Sequence, residues 1–163
     1  MTKPPVDPTK ALRTAATVLL LREGGSGMEI FMVQRNREIE FSSGALVFPG
    51  GSLDPGDTEI AGDTALVPRR GELDVDAAAI RIGGIRETFE ESGIVLARPH
   101  GSDVLAPAAQ LAALESQRKA LDAGEVSFAD ILRQHGLLPA IDLLVPFAHW
   151  ITPEMMPKRF DTH

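Results

Sequence analysis

The 163-residue sequence contains no cysteine, so no disulfide framework can form and no thiol is available as nucleophile or metal ligand. It has no apolar run approaching the roughly 18 residues needed to span a bilayer. The N-terminal MTKPPVDPTK lacks the apolar core of a secretory signal. It reads as part of a disordered lead-in over residues 1–13, ahead of a single domain over 14–163. These absences fit a cytoplasmic protein. Basic residues are also scarce: 16 Lys and Arg stand against 23 Asp and Glu, for a net charge of −7. That balance argues against broad electrostatic binding to nucleic acid or to an anionic membrane, both of which favour a basic surface. A phosphate-bearing small molecule remains compatible if metal ions and a few local arginines screen its charge. Hydrophobic content of 44% suits one domain with a sizeable core.

The chain is organised around Gly84 to Leu96, GIRETFEESGIVL. Ile82, Ile85 and Phe89 recur at steps of three and four, which is one face of a helix. Glu87, Glu90 and Glu91 follow the same spacing on another face, where like charges repel. A divalent cation would relieve that repulsion, and magnesium takes carboxylate oxygens together with substrate phosphates. Standing alone, the triplet would read as a solvated acidic face. Gly93 ends the helix as a residue able to take positive φ.

The triplet has company upstream, in Phe48-Pro49-Gly50-Gly51 followed by Asp54 and Asp57. Two glycines after a proline make a tight loop that can approach a ligand without side chains in the way. Together these pieces resemble the Nudix hydrolases. The family's box is Gly, five residues, Glu, seven residues, then Arg-Glu-apolar-x-Glu-Glu-x-Gly-apolar. Arg86 through Ile94 match the second half, with Thr88 at the apolar position. Gly51 and Asp57 match the first half, with Asp57 in place of Glu. Residues 58 to 85 then separate the halves, an insertion inside the box that resembles one branch of the coenzyme A diphosphatase relatives. Asp57, Glu59 and Glu72 are all candidates for the first-Glu role.

Along the chain, 14–22 reads as a buried strand, 24–27 as a turn and 29–35 as a second strand. Residues 36–45 read as a loop, and 46–48 as a short strand delivering the Pro-Gly-Gly loop. The Asp-, Gly- and Pro-rich stretch 52–73 reads as a surface excursion. Asp74 or Asp76 can cap a helix over 77–92. Gly83-Gly84 inside that helix calls for either close packing on the sheet or a kink. Further elements are a strand at 94–97, helices over 108–121 and 128–135, and a strand over 143–151. The end, KRFDTH, resembles the start of a strand that continues in the family, so the sequence is expected to be a truncated product. His100, His135, His149 and His163 show no metal-ligand spacing, and His149 reads as packing. Ser42-Ser43 lacks the frame of a hydrolase nucleophile.

The resemblance implies an α/β fold, a Nudix α/β/α sandwich with a mixed β-sheet and later helices covering the face opposite the glutamate helix. It implies a magnesium-dependent enzyme, with manganese able to substitute, that cleaves a diphosphate. Its metal ligands would be Glu87, Glu90, Glu91 and the Gly50 carbonyl. Arg86 would hold a glutamate in place, and Glu87 would be either a further ligand or the general base. The coenzyme A branch also carries an upstream signature whose spacing is kept here, from Arg35-Asn36 through Glu40 and Gly44 to Phe48-Pro49-Gly50-Gly51. Glu40 stands where that branch has a basic residue, and Arg37 is close enough to substitute. Arg35, Gly44, Gly50 and Gly51 are thus the substrate-binding candidates. The implied substrate is coenzyme A or acyl-coenzyme A. ADP-ribose, NADH or another nucleoside diphosphate derivative is the alternative, and a nucleotide-sensing module without catalysis is the reading from another class. A homodimer is compatible with all of these.

Overall fold

The computed structural model describes residues 12–34, 44–68, 70–156 and 158–163. Most of the lead-in read over residues 1–13 lies outside these, but Arg13 already belongs to a strand. The chain begins with β1 (Arg13–Thr17), β2 (Leu21–Gly24), β3 (Gly27–Ile30) and β4 (Val33–Gln34). It continues through β5 (Leu46–Val47) and β6 (Gly50–Ser52) into α1 (Pro55–Gly62) and α2 (Val75–Ser92). Then follow β7 (Ala97–Pro99), α3 (Ala108–Ala112), α4 (Glu115–Asp122), α5 (Phe128–Gln134) and β8 (Leu137–Pro139). A 3-10 turn (Ile141–Leu143), β9 (Trp150–Ile151) and β10 (Phe160–Thr162) complete the order.

The central sheet runs β6-β1-β10-β9. It is mixed: β1 and β10 are parallel, while β6 and β9 pair antiparallel to their neighbours. The α/β class with a mixed sheet is as the sequence implies. Helix α2 lies on this sheet against β1 and β6, and α1 packs along α2. The later helices meet the first two, α4 on α2 and α5 on α1 and β8, and not chiefly the opposite face of the sheet.

Helix α2 forms where its signals are strongest. The Asp74 carboxylate accepts from the Ala77 amide at 2.7 Å and caps the first turn. Gly93 closes the last turn at φ 76°, a left-handed conformation that costs glycine little. Ala78, Ile82, Ile85 and Phe89 form its fully buried stripe. Gly83 and Gly84 mark close packing, not a kink. A Cβ on Gly84 would lie 2.9 Å from Val18 Cγ2, and one on Gly83 would lie 3.0 Å from Asp57 Oδ2. Thr88 fits at its buried position because its hydroxyl donates to the Gly84 carbonyl at 2.7 Å.

The strand read over 29–35 is split, Glu29 and Ile30 falling in β3 and Val33 and Gln34 in β4, and further sequence expectations are corrected. The stretch 52–73 is not a surface excursion: it contains α1, and Ile60, Ala61, Leu66 and Val67 join the core around α2. Its Asp, Pro and Gly serve as helix-start chemistry, with Asp54 as N-cap, Asp57 completing a capping box and Pro55 in the first turn. The strand read over 14–22 divides, because β2 leaves the central sheet to form a hairpin with β3. The strand read at 94–97 begins only at Ala97 and pairs with β8, whose own strand the sequence did not suggest. The helix read over 108–121 breaks into α3 and α4 at a turn over residues 113 and 114. The strand read over 143–151 is confined to Trp150–Ile151. Pro146 lies in the stretch between and has no amide proton to give a ladder.

Candidate functional site

The C-terminal half of α2 passes under β6, and the site lies where they meet. Arg86, 8% exposed, is its hub. Its Nε and Nη2 donate to the two carboxylate oxygens of Asp57, each at 2.9 Å. Nη1 donates to Glu87 Oε1 and to Glu90 Oε2, both at 3.0 Å, and Nη2 reaches the Ser52 carbonyl at 3.0 Å. One guanidinium thus ties α1, β6 and two of the three glutamates together. Asp57, 1% exposed, is the carboxylate that meets the arginine, whereas Glu59 and Glu72 are exposed.

The glycine pair approaches from the sheet. The Gly50 amide donates to Glu91 Oε2 at 3.1 Å, a contact across 41 residues. A Cβ on Gly51 would stand 2.5 Å from the Glu87 carboxylate, so only glycine leaves room for it. A Cβ on Gly50 would stand 2.2 Å from the Ala16 carbonyl oxygen, in a backbone conformation with φ 157°. The loop glycines and the glutamate triplet, which the sequence separates by the insertion, are therefore in direct contact.

Burial pushes the Glu87 carboxyl above its ordinary range, and the charges of Asp57 and Asp122 add to this while Arg86 opposes it. Burial likewise raises Glu90 to about 7, with Arg86 opposing and Glu87 and Asp122 reinforcing. For Arg86, burial alone would weaken protonation, but hydrogen bonding and charge from Asp57, with Glu90 and Glu87, outweigh it and hold the group firmly cationic. Asp122 comes from α4. No local sequence signal links it to the site, because only the packing of α4 on α2 brings it there.

The donor set suits a hard divalent cation. Asp57, Glu87, Glu90 and Glu91 supply four carboxylates against one guanidinium, Arg86, which pairs with three of them. The three glutamates do not converge on a common point, however. Glu87 and Glu90 turn to Arg86 while Glu91 turns to the Gly50 amide. Gly44 sits at a turn before β5 with φ 73°, its carbonyl accepting from the Gln34 side chain at 3.4 Å, and it is not bonded to Arg86. Arg35, with Asn36, Arg37 and Glu40, lies outside the described residues. A cavity of about 670 Å³ opens beside Glu90 and Arg86, with Phe128, Asp130 and Arg133 of α5 on its far wall. Among the described residues, no helix is long and apolar enough to cross a membrane.

The family model of the NUDT19 Nudix domain matches residues 67–163, a span that contains all of α2. Putative nudix hydrolase 7 of Caenorhabditis elegans is 27% identical over 154 residues, covering 94% of this chain and 43% of that protein. Acyl-coenzyme A diphosphatase NUDT19 of Xenopus laevis is 25% identical over 177 residues, covering 84% of this chain and 46% of that protein. The chain therefore spans less than half the length of these curated relatives. Among solved structures, a NUDIX hydrolase from Alicyclobacillus acidocaldarius superposes with a TM-score of 0.66 at 30% identity, covering 94% of this chain and 68% of that one. With the family model spanning more than half of the sequence and the two halves of the motif joined in space, the chain belongs to the Nudix hydrolase family.

Proposed function

We propose that the protein hydrolyses the diphosphate of coenzyme A or acyl-coenzyme A, giving adenosine 3′,5′-bisphosphate and the (acyl-)4′-phosphopantetheine. The observation that carries the hydrolase reading is the Gly50 amide on the Glu91 carboxylate, which joins the phosphate-side loop to the acidic helix. The choice of substrate leans on the acyl-coenzyme A diphosphatases among the relatives and on the Arg35 to Gly51 spacing. The chain's activity would be that of a soluble enzyme acting in the cytoplasm on a small molecule.

In this reading, water adds to one phosphorus of the diphosphate, the bridging P–O bond breaks, and each product keeps one of the two phosphates. Magnesium, with manganese as a substitute, would be held by Glu90 and Glu91, with Glu87 and the Gly50 carbonyl completing the set. Bound there, it supplies positive charge against the diphosphate and makes water more acidic. Arg86, itself fixed by Asp57, holds Glu87 and Glu90 at set positions. Gly51 leaves the space in which the Glu87 carboxylate stands. The proton released by water would pass to Glu87 where that carboxylate is not itself a ligand, and burial already raises its carboxyl above the ordinary range.

The test is a panel of coenzyme A, an acyl-coenzyme A, ADP-ribose and NADH, each incubated with the protein and magnesium before product separation. Release of adenosine 3′,5′-bisphosphate from the coenzyme A compounds in preference to the others is the expected result. Preference for ADP-ribose or NADH would overturn the substrate while leaving the hydrolase reading in place. Tight binding without turnover in either metal would overturn the hydrolase reading in favour of a sensing module.

A further inference from the structure

The other end of the sheet gathers a second set of ligands. Strands β9 and β10 pair antiparallel with Asp161 opposite Ile151 and Thr162 opposite Trp150. One further step of that register sets His163 opposite His149. Directly opposed residues share a face of a ladder, and so do residues two apart on one strand. His149, Asp161 and His163 therefore project together. Their side chains meet: His149 Nε2 contacts Asp161 Oδ1, and His163 Nε2 lies 3.6 Å from the same oxygen. The two imidazoles stack with centroids 4.5 Å apart and planes 19° apart. One ligand atom from each of the three residues lies within 4.8 Å of the others, an arrangement no other such trio reaches among the described residues.

The backbone under this cluster is fixed. The His163 amide donates to the Ala15 carbonyl at 3.0 Å, and its carbonyl accepts from the Thr17 amide at 2.9 Å. His163 also lines a cavity of about 710 Å³ with Arg13, Thr14, Ser52 and Asp76, the last from the start of α2. The cluster lies two strands from the loop glycines: His163 follows Thr162, the partner of Ala15 on β1, and β1 sets Ala16 opposite Gly51. Two strand spacings are about 10 Å, and the two sets of side chains share no residue.

Two imidazoles and a carboxylate are a poor set for magnesium, which favours oxygen donors, and a good one for zinc and neighbouring transition metals. Three protein ligands also leave the fourth tetrahedral position to water. We propose that His149, Asp161 and His163 form a zinc-class metal site that fastens β9 to β10. Tetrahedral coordination at about 2.0–2.1 Å sets ligand atoms roughly 3.4 Å apart, so modest rotations of these partly exposed side chains are enough. The ladder it would secure has two residue pairs, extended by the Thr152 amide on the Phe160 carbonyl at 2.9 Å, while Trp150 and Ile151 are 69% and 48% exposed, so burial adds little to hold β9. A metal bound only by the folded form would stabilise it by mass action.

Cobalt(II) serves as the visible probe, titrated into the protein in excess magnesium so that the oxygen-rich site is competed. The expected result is one equivalent bound with a tetrahedral absorption band, displaced by zinc, with the melting temperature raised by several degrees. His149→Gln and His163→Gln should each weaken binding at least tenfold, whereas Glu90→Gln should leave it unchanged. Retained binding in both histidine variants, loss of binding in Glu90→Gln, or no binding by the wild type would each overturn the site. Wild-type proton NMR gives a readout that does not depend on the variants folding. Cobalt should broaden the ring signals of His149 and His163 and leave those of His100 and His135 sharp. Equal effects on all four, or on none, would refute it.

Discussion

Asp57 and Arg86 stand 29 residues apart in sequence and form a two-pronged ion pair, with both contacts at 2.9 Å and both side chains buried. The pair spans the insertion and sets α1 against α2. Asp57 also accepts from the Asp54 amide at 2.9 Å, so one carboxylate caps α1 and anchors the arginine. Removing one partner of a buried pair leaves the other uncompensated, which typically costs about 3–5 kcal/mol. Asp57→Asn should lower the unfolding free energy measured in urea by that order and reduce hydrolysis as well, because the arginine that holds Glu87 and Glu90 loses its own fixed partner. A variant with wild-type stability would show that the pair does not hold the insertion in place.

The packing of α2 on the sheet gives a second expectation. A methyl at Gly84 would meet Val18 Cγ2 at 2.9 Å, inside a buried contact with few ways to yield. Gly84→Ala should therefore destabilise the protein by about 1–3 kcal/mol, although alanine is the better helix former by about 1 kcal/mol. A thermal melt at or above the wild-type temperature would mean that the helix shifts freely on the sheet.

Much of this architecture was legible in the sequence, and the illegible parts share physical causes. Helix α2 announces itself through Ile82, Ile85 and Phe89 at helical spacing between an Asp cap and a Gly stop. Helix α1 does not, because Asp54, Pro55 and Gly56 are equally the chemistry of turns, and its apolar contribution is only Ile60 and Ala61. The contact of Gly50 with Glu91 could be expected only from the resemblance, since no periodicity reaches across 41 residues. His149, Asp161 and His163 escaped notice because antiparallel register, and not sequence spacing, brings them together. The same holds for Asp122, which acts on the glutamates from a separate helix.

The two loop glycines should fail in different ways. At Gly50 a side chain meets the Ala16 carbonyl, which is backbone and cannot move aside. Gly50→Ala should destabilise the fold by more than about 1 kcal/mol. At Gly51 it meets the end of the Glu87 side chain, which can swing away at little energetic cost. Gly51→Ala should melt near the wild-type temperature yet lose activity on the order of a hundredfold, the scale expected when a catalytic group shifts by about an ångström. Comparing melts with turnover for the two variants checks this, and equal stability losses would contradict it.

Glu90 offers the sharpest separation of charge from shape. Its carboxyl is raised from the ordinary value of 4.5 to about 7, with burial the largest cause. Between those values the folded protein binds more protons than the unfolded chain, so metal-free stability falls as the pH rises. The favourable contribution is complete below about 4.5 and lost above about 7. Glu90→Gln removes the ionisation while keeping an oxygen for Arg86 Nη1, now 3.0 Å from the carboxylate. In a chelator, the variant should melt higher than the wild type at pH 8 and show a smaller advantage at pH 5. Magnesium should reverse the order at pH 8, stabilising the wild type more because its charge is then compensated. Turnover by Glu90→Gln, and by Glu91→Gln, should fall by orders of magnitude, each factor of ten corresponding to about 1.4 kcal/mol of lost transition-state stabilisation. If the glutamates only decorated a solvated helix, neither substitution would change turnover. If instead they held the fold through Arg86 alone, Glu90→Gln would melt lower at every pH, with or without magnesium. Melting curves at the two pH values, with magnesium and with chelator, combined with turnover, distinguish these cases.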